Sequence, residues 1–159
     1  MTPPPFVNIA DDTVKSAFVG GRPEVVRWLT PGTRLFKWTQ SVTTQGNGVT
    51  PWWQFVDPQV LSTGSRIPGI GELQTRAARL NVSDRDFARV RMAVQKEWNA
   101  MTNLAAYALT RGAWGYIGKA SGQRISAAET RVYFIGGEYQ VWIPGLDAAA
   151  VIPVTVSLQ

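Results

Sequence analysis

The apolar segments of this 159-residue chain are segregated rather than interleaved, and that ordering limits the fold more than any single motif. Short helical signals come first, followed by one alternating segment and a long stretch punctuated by Gly, Pro and Asn. A long helical stripe and a run of β-patterned segments complete the chain. A parallel α/β sheet needs helices and strands to alternate in sequence, so this order predicts an α+β fold with mostly antiparallel strands. The length suits one domain with a sizeable core, and a hydrophobic content of 45% is that of a globular chain.

Residues 1–12 are expected to be extended or disordered, because three prolines fall in the first five positions, and 13–159 to form a single domain. "DDTVKSAFVGG" and "RPEVVRWLTPG" read as short helices. In the second, Pro23 suits a first helical position, and Val25, Val26 and Leu29 make an apolar stripe. "TRLFKWTQS" alternates strictly and reads as a strand, with Leu35, Lys37 and Thr39 on one face and Arg34, Phe36 and Trp38 on the other. Thr43–Gly71 reads mostly as loop, pinned by Trp52, Trp53 and Phe55, and loops of that length commonly line a site.

The longest expected helix covers about 83–110. Ser83 and Asp86 form a capping pair, and Phe87, Val90, Val94, Trp98, Met101, Ala105 and Ala108 recur at helical steps. Beyond Gly112, "AWGYIGKASGQRIS" reads as a glycine-broken strand and "TRVYFIGGEYQVWIPGL" as two strands around a glycine break. "AAAVIPVTVSLQ" reads as a β-tail that Pro153 assigns to a sheet edge.

Two absences narrow the chemistry. With no His and no Cys, the chain has no disulfide, thiolate nucleophile, zinc finger, His-containing metal site or catalytic triad. Polar chemistry rests on eleven carboxylates, sixteen Lys and Arg, and hydroxyl or amide groups. The net charge of +5 admits an anionic partner. Because the basic residues are dispersed, nucleic acid is not favoured as that partner. No apolar run approaches the length of a membrane span, and the N-terminal segment lacks a signal-peptide pattern, so synthesis in a cytoplasm is expected.

Glu138, Gln140 and Trp142 share one face of the strand in "IGGEYQVWIP". They form either the polar edge of a half-buried strand or a carboxylate and an amide presented to a sugar or amide ligand, with the paired glycines allowing close approach. Lys37 is either an edge residue or a point charge for a phosphate or carboxylate. Trp52 and Trp53 either pack a loop or wall a cleft for a planar group.

Taken together, "TRLFKWT", "VTPWW" and "GGEYQVWIP" resemble the three short motifs of bacterial ADP-ribosyltransferase toxins. The resemblance implies a split β core, NAD as substrate and cleavage of its nicotinamide–ribose bond, followed by modification of a macromolecular target. It implies that Arg34 or Lys37 binds NAD, and that Thr50, with Ser62 and Thr63 as alternatives, supports the nicotinamide pocket alongside Trp52 and Trp53. In the family a late strand carries the catalytic Glu in a Q-x-E or E-x-E pattern. Here the strand reads E-x-Q, so Gln140 stands at the catalytic position and Glu138 two residues before it. Delivery by a specialised secretion system and a neighbouring immunity protein are also implied. A non-catalytic binding or assembly protein and an NAD glycohydrolase are the alternative readings.

Overall fold

The computed structural model describes residues 1–39, 51–94, 101–124 and 133–156. Two short helices open the chain, α1 (Phe6–Ile9) and α2 (Asp12–Ala17). Strands β1 (Val25–Leu29), β2 (Arg34–Thr39) and β3 (Trp52–Phe55) come next, then a small hairpin of β4 (Gln59–Val60) and β5 (Arg66–Ile67). Helices α3 (Ile70–Arg79) and α4 (Asp84–Arg91) precede β6 (Asn103–Leu109) and β7 (Ala113–Lys119). A second small pair, β8 (Gln123–Arg124) and β9 (Tyr133–Phe134), leads to β10 (Tyr139–Trp142) and β11 (Val151–Pro153). The fold is α+β. Seven strands form one antiparallel sheet in the order β1-β7-β10-β3-β2-β6-β11.

That order forces the sheet to fold over. Four strand spacings, about 19 Å in a flat sheet, separate β1 from β2. Yet the two are joined by a tight turn in which Thr33 N–H donates to Thr30 O at 3.1 Å, a link that reaches less than about 15 Å. The crease lies at β3, whose Trp52 and Trp53 pair with β10 while Gln54 and Phe55 pair with β2. Inside the fold sits the main core, which includes Leu29, Leu35, Trp53, Phe55, Tyr107, Ile117, Val141 and Ile143. The opposite face carries two smaller clusters. Phe36, Val56, Ile70, Leu73, Ala77 and Phe87 join the sheet to α3 and α4. Ala10, Phe18, Tyr116 and Trp142 lie beneath the N-terminal helices. The alternation expected for "TRLFKWT" is therefore present, with Leu35 and Phe36 buried in different clusters.

Four expectations are corrected. The helix expected over 83–110 is α4 alone within the described residues, and 103–109 is strand β6. Ser83 caps α4 as predicted, accepting from Asp86 N–H. The helix stops at Met92 because Ala93 adopts a left-handed φ of 53° and Val94 N–H closes back on Arg89 O at 3.1 Å, a Schellman termination. Pairing of "NLAAYAL" with β2 and β11 then outweighs the helical preference of its alanines. The segment around Val25 is strand β1 rather than a helix, since pairing with β7 decides between two patterns that five residues cannot separate. Thr43–Gly71 contains β3, β4 and β5 in its described part, and α3 begins at Ile70. Residues 1–12, expected to be extended or disordered, instead carry α1 at Phe6–Ile9, packed by the Phe6 ring against Phe18, Tyr116 and Trp142. The glycine break between β9 and β10 is present, and Pro153 lies in β11 at the sheet edge.

Candidate functional site

Glu138 occupies the joint between the sheet and the two long helices. Gly136 and Gly137 both take left-handed φ, 69° and 89°, which turns the chain sharply into β10. The turn is docked on the end of α4: Gly136 N–H donates to Val90 O at 3.0 Å and Glu138 N–H to Arg91 O at 3.2 Å. These are carbonyls that a helix leaves unpaired in its last turn. Gly136 is also confined on its other side, where a Cβ would lie 2.5 Å from Ala120 O.

The Glu138 side chain is 6% exposed and held by two guanidinium groups. Arg76, from the last turn of α3, reaches both carboxylate oxygens at 3.1 and 3.3 Å, and Arg91 Nε reaches Oε1 at 3.2 Å. Both arginines keep substantial exposure, 47% for Arg76 and 33% for Arg91, so the buried charge is compensated from the solvent side. Glu138 and Arg91 of this ion triad line a narrow cleft between the sheet and α3/α4 whose free room is only about 20 Å³, that of roughly one water molecule. Phe36, Trp38 and Phe87 give it aromatic walls, and Gln54, Gln74, Asp84 and Arg91 supply polar groups. Gln54 Nε2 donates weakly to Tyr139 O at 3.4 Å. Gln74 differs: it is 6% exposed, and neither its Oε1 nor its Nε2 has a partner. A buried amide with a free acceptor and a free donor side by side matches a ligand amide or a heterocycle edge.

The structure separates the residues that the sequence grouped. Gln140 shares the helix-side face with Glu138 but points under the N-terminal helices, where its Nε2 donates to Ala17 O at 2.8 Å. Trp52 lies on the same face, 5.4 Å from the Phe18 ring and 6.3 Å from Trp142. Trp53 turns into the main core at 2% exposure, edge-on to Tyr107. Consecutive residues of one strand thus point to opposite faces, and Trp52 and Trp53 do not flank a common ring. Arg34 and Lys37 diverge likewise. Arg34 is an exposed fork on Asp57, with Nε 2.9 Å from Oδ2, which holds the Asp57 carboxyl below its usual range. Lys37 faces inward with Nζ 4.5 Å from the Trp53 ring centroid, and burial pushes its pKa down to about 8. Thr50 lies outside the described residues. Ser62 and Thr63 belong to the β4–β5 hairpin, away from the lining of the cleft.

Sequence reasoning missed Arg76, Arg91 and Gln74. The signal for Gln74 was present: Ile70, Leu73, Gln74 and Ala77 form an i, i+3, i+4, i+7 stripe on α3, with one polar residue in it.

No family model matches this chain, and no curated protein does. Among solved structures, the chain is similar to the structure of Tse6 in complex with Tsi6. The TM-score is 0.42 at 13% identity, over 94% of this chain and 88% of that one. A likeness of that size carries no conclusion about activity. Among the described residues no helix is long and apolar enough to cross a membrane, and no group of His, Cys, Asp and Glu is arranged to hold a metal ion.

Proposed function

We propose that this chain is an ADP-ribosyltransferase-like toxin or effector domain that takes NAD in the cleft beneath α3 and α4. The observation that carries the reading is the buried Glu138 carboxylate in the lining of an aromatic-walled cleft, held by two arginines that keep substantial exposure. In this reading α3 and α4 part from the sheet to admit the planar nicotinamide, which then lies against the aromatic walls. The diphosphate competes for Arg76 and Arg91, and as they turn to it Glu138 is released toward the ribose. The nicotinamide–ribose bond then breaks, its electron pair leaving on the nicotinamide nitrogen, and the carboxylate stabilises the oxocarbenium-like carbon left behind. A nucleophilic group of a macromolecular acceptor bonds to that carbon and gives up its proton. Glu138 takes the part that the E-x-Q pattern leaves open, because Gln140 is engaged under the N-terminal helices. Secretion-mediated delivery and a neutralising immunity protein belong to the same reading.

A second reading, a non-catalytic binding or assembly protein, is favoured by one fact: both oxygens of Glu138 are already engaged by guanidinium groups. Incubation with NAD and a bacterial lysate separates the possibilities. Nicotinamide release with label transferred to a macromolecule, lost in Glu138→Ala, supports the transferase. Release without transfer makes the domain an NAD glycohydrolase. No release, together with wild-type and Glu138→Ala chains equally harmless on expression, overturns both enzymatic readings in favour of the binding protein.

A further inference from the structure

Arg76 and Arg91 do more than balance Glu138: they hold the cleft shut. As it stands the cleft has room for about one water molecule, and both polar atoms of Gln74 are enclosed. The start of α3 is fixed. Ile70 N–H donates to Val56 O at 3.0 Å, and Gly69 packs so closely that a Cβ there would lie 2.5 Å from the same oxygen. The end of α3 is held differently. Among the described residues its one polar tie to the sheet is Arg76, whose Nη1 meets both oxygens of Glu138. α4, by contrast, is bound through its backbone, with Val90 O and Arg91 O accepting from Gly136 and Glu138. A helix anchored at its first residue and tied by one side chain near its last can pivot once that tie is released.

The chemistry of the tie says what would release it. Both guanidiniums stand partly in solvent. Arg76 engages Glu138 through Nη1 alone and Arg91 through Nε alone, so their other N–H groups have no partner among the described residues. Two cations against one carboxylate also leave one positive charge uncompensated. The group that fits carries more than one negative charge and several acceptor oxygens. Phosphoryl oxygens take a guanidinium fork in pairs, and a diphosphate offers one phosphoryl group to each arginine.

From this arrangement we infer that Arg76 and Arg91 form a binding site for a diphosphate group, and that filling the site unlatches α3. The diphosphate takes the two forks and repels the Glu138 carboxylate. The contact between Arg76 and Glu138 breaks, the end of α3 lifts, and Gln74 and the aromatic walls open to a planar ring. A ring that arrives without a diphosphate meets a closed cleft. The inference deepens the NAD reading and rests on it for the identity of the ring, whereas the anion site and the latch are tested without it.

The test is titration of the 15N-labelled full chain with inorganic pyrophosphate, following hydrogen exchange of the enclosed Gln74 side-chain amide. A ligand on a rigid site slows exchange by favouring the closed protein, so only an opening speeds it. The expected result is a saturable acceleration of roughly tenfold or more, the size of a typical coupling between sites. Arg76→Gln and Glu138→Gln should exchange fast without pyrophosphate and gain little from it, whereas Arg79→Gln, which changes an exposed cation of the same turn outside the triad, should respond as the wild type does. Unchanged or slower exchange at millimolar pyrophosphate overturns the proposal. So does an equal response to sodium chloride at matched ionic strength, or undiminished acceleration in both folded triad variants. NAD cleavage is scored separately: acceleration without cleavage supports the latch and removes the NAD reading, and cleavage without acceleration does the reverse.

Discussion

Gln74→Met should make this protein more stable and, if the cleft takes an amide-bearing ligand, less active. The amide of Gln74 sits on the apolar stripe of α3 beside Ile70, Leu73 and Phe87, with both polar atoms buried and unpartnered. A buried polar group without a partner costs about 1–3 kcal/mol on mutational scales. Two such atoms set the upper bound, and the mouth of the cleft lets water offset part of it. Methionine follows the shape of glutamine, has a good helix propensity and fills irregular apolar space. The net expectation is stabilisation of about 1–3 kcal/mol, which in a chain of this size raises Tm by roughly 2–4 °C per kcal/mol. Urea unfolding should show a higher midpoint at unchanged slope. Equal or lower stability with the fold intact would refute the reasoning, because it would mean that the amide is satisfied in the free protein and is not held ready for a ligand. Loss of NAD cleavage alongside the gain in stability is the signature of a site residue.

Other outcomes follow from the same geometry. Glu138→Ala leaves Arg76 and Arg91 facing each other, so it should cost about 1–3 kcal/mol, less than a fully buried pair because both arginines reach water; on the proposed transferase reading it should also abolish nicotinamide release, and denaturant unfolding and a nicotinamide assay measure the two effects. Gly136→Ala demands a left-handed φ with a Cβ against Ala120 O, and should destabilise by about 2–4 kcal/mol in thermal unfolding. Lys37 releases its proton near pH 8 in the folded chain but near 10.5 when unfolded, so the unfolded state binds more protons in that window and stability should rise with pH through it. Lys37→Met should remove that rise, which urea unfolding followed from pH 7 to 10.5 measures.

What the sequence made legible was local. Strict alternation identified β2, and Pro153 placed β11 at an edge, because a residue without an N–H cannot continue a ladder on both sides. The glycines before Glu138 announced a turn that only left-handed backbone can make. Where competing patterns fit, the sequence was silent. "EVVRWL" satisfies a helical stripe as well as a strand, and "NLAAYAL" carries helix-favouring alanines in a segment that sheet pairing claims. Those decisions were made by partners far along the chain. The site has the same character: Arg76 and Arg91 meet Glu138 across 62 and 47 residues, and nothing near Glu138 in sequence reports them. Trp52 and Trp53 were read in a loop, where their adjacency in "PWW" suggested a shared wall; in strand β3 the pleat sends them to opposite faces.

The position of β10 governs how this chain can reach its native state. A strand near the C-terminal end is the one that joins β7 to β3, so the two halves of the creased sheet stay unconnected until about nine-tenths of the sequence is present. Contacts of such long sequence separation make for slow, late-closing assembly. They also place Glu138, one residue before β10, among the last groups to be set. A nascent or truncated chain would carry the cleft walls without the carboxylate, and whatever the cleft does would begin only when folding finishes.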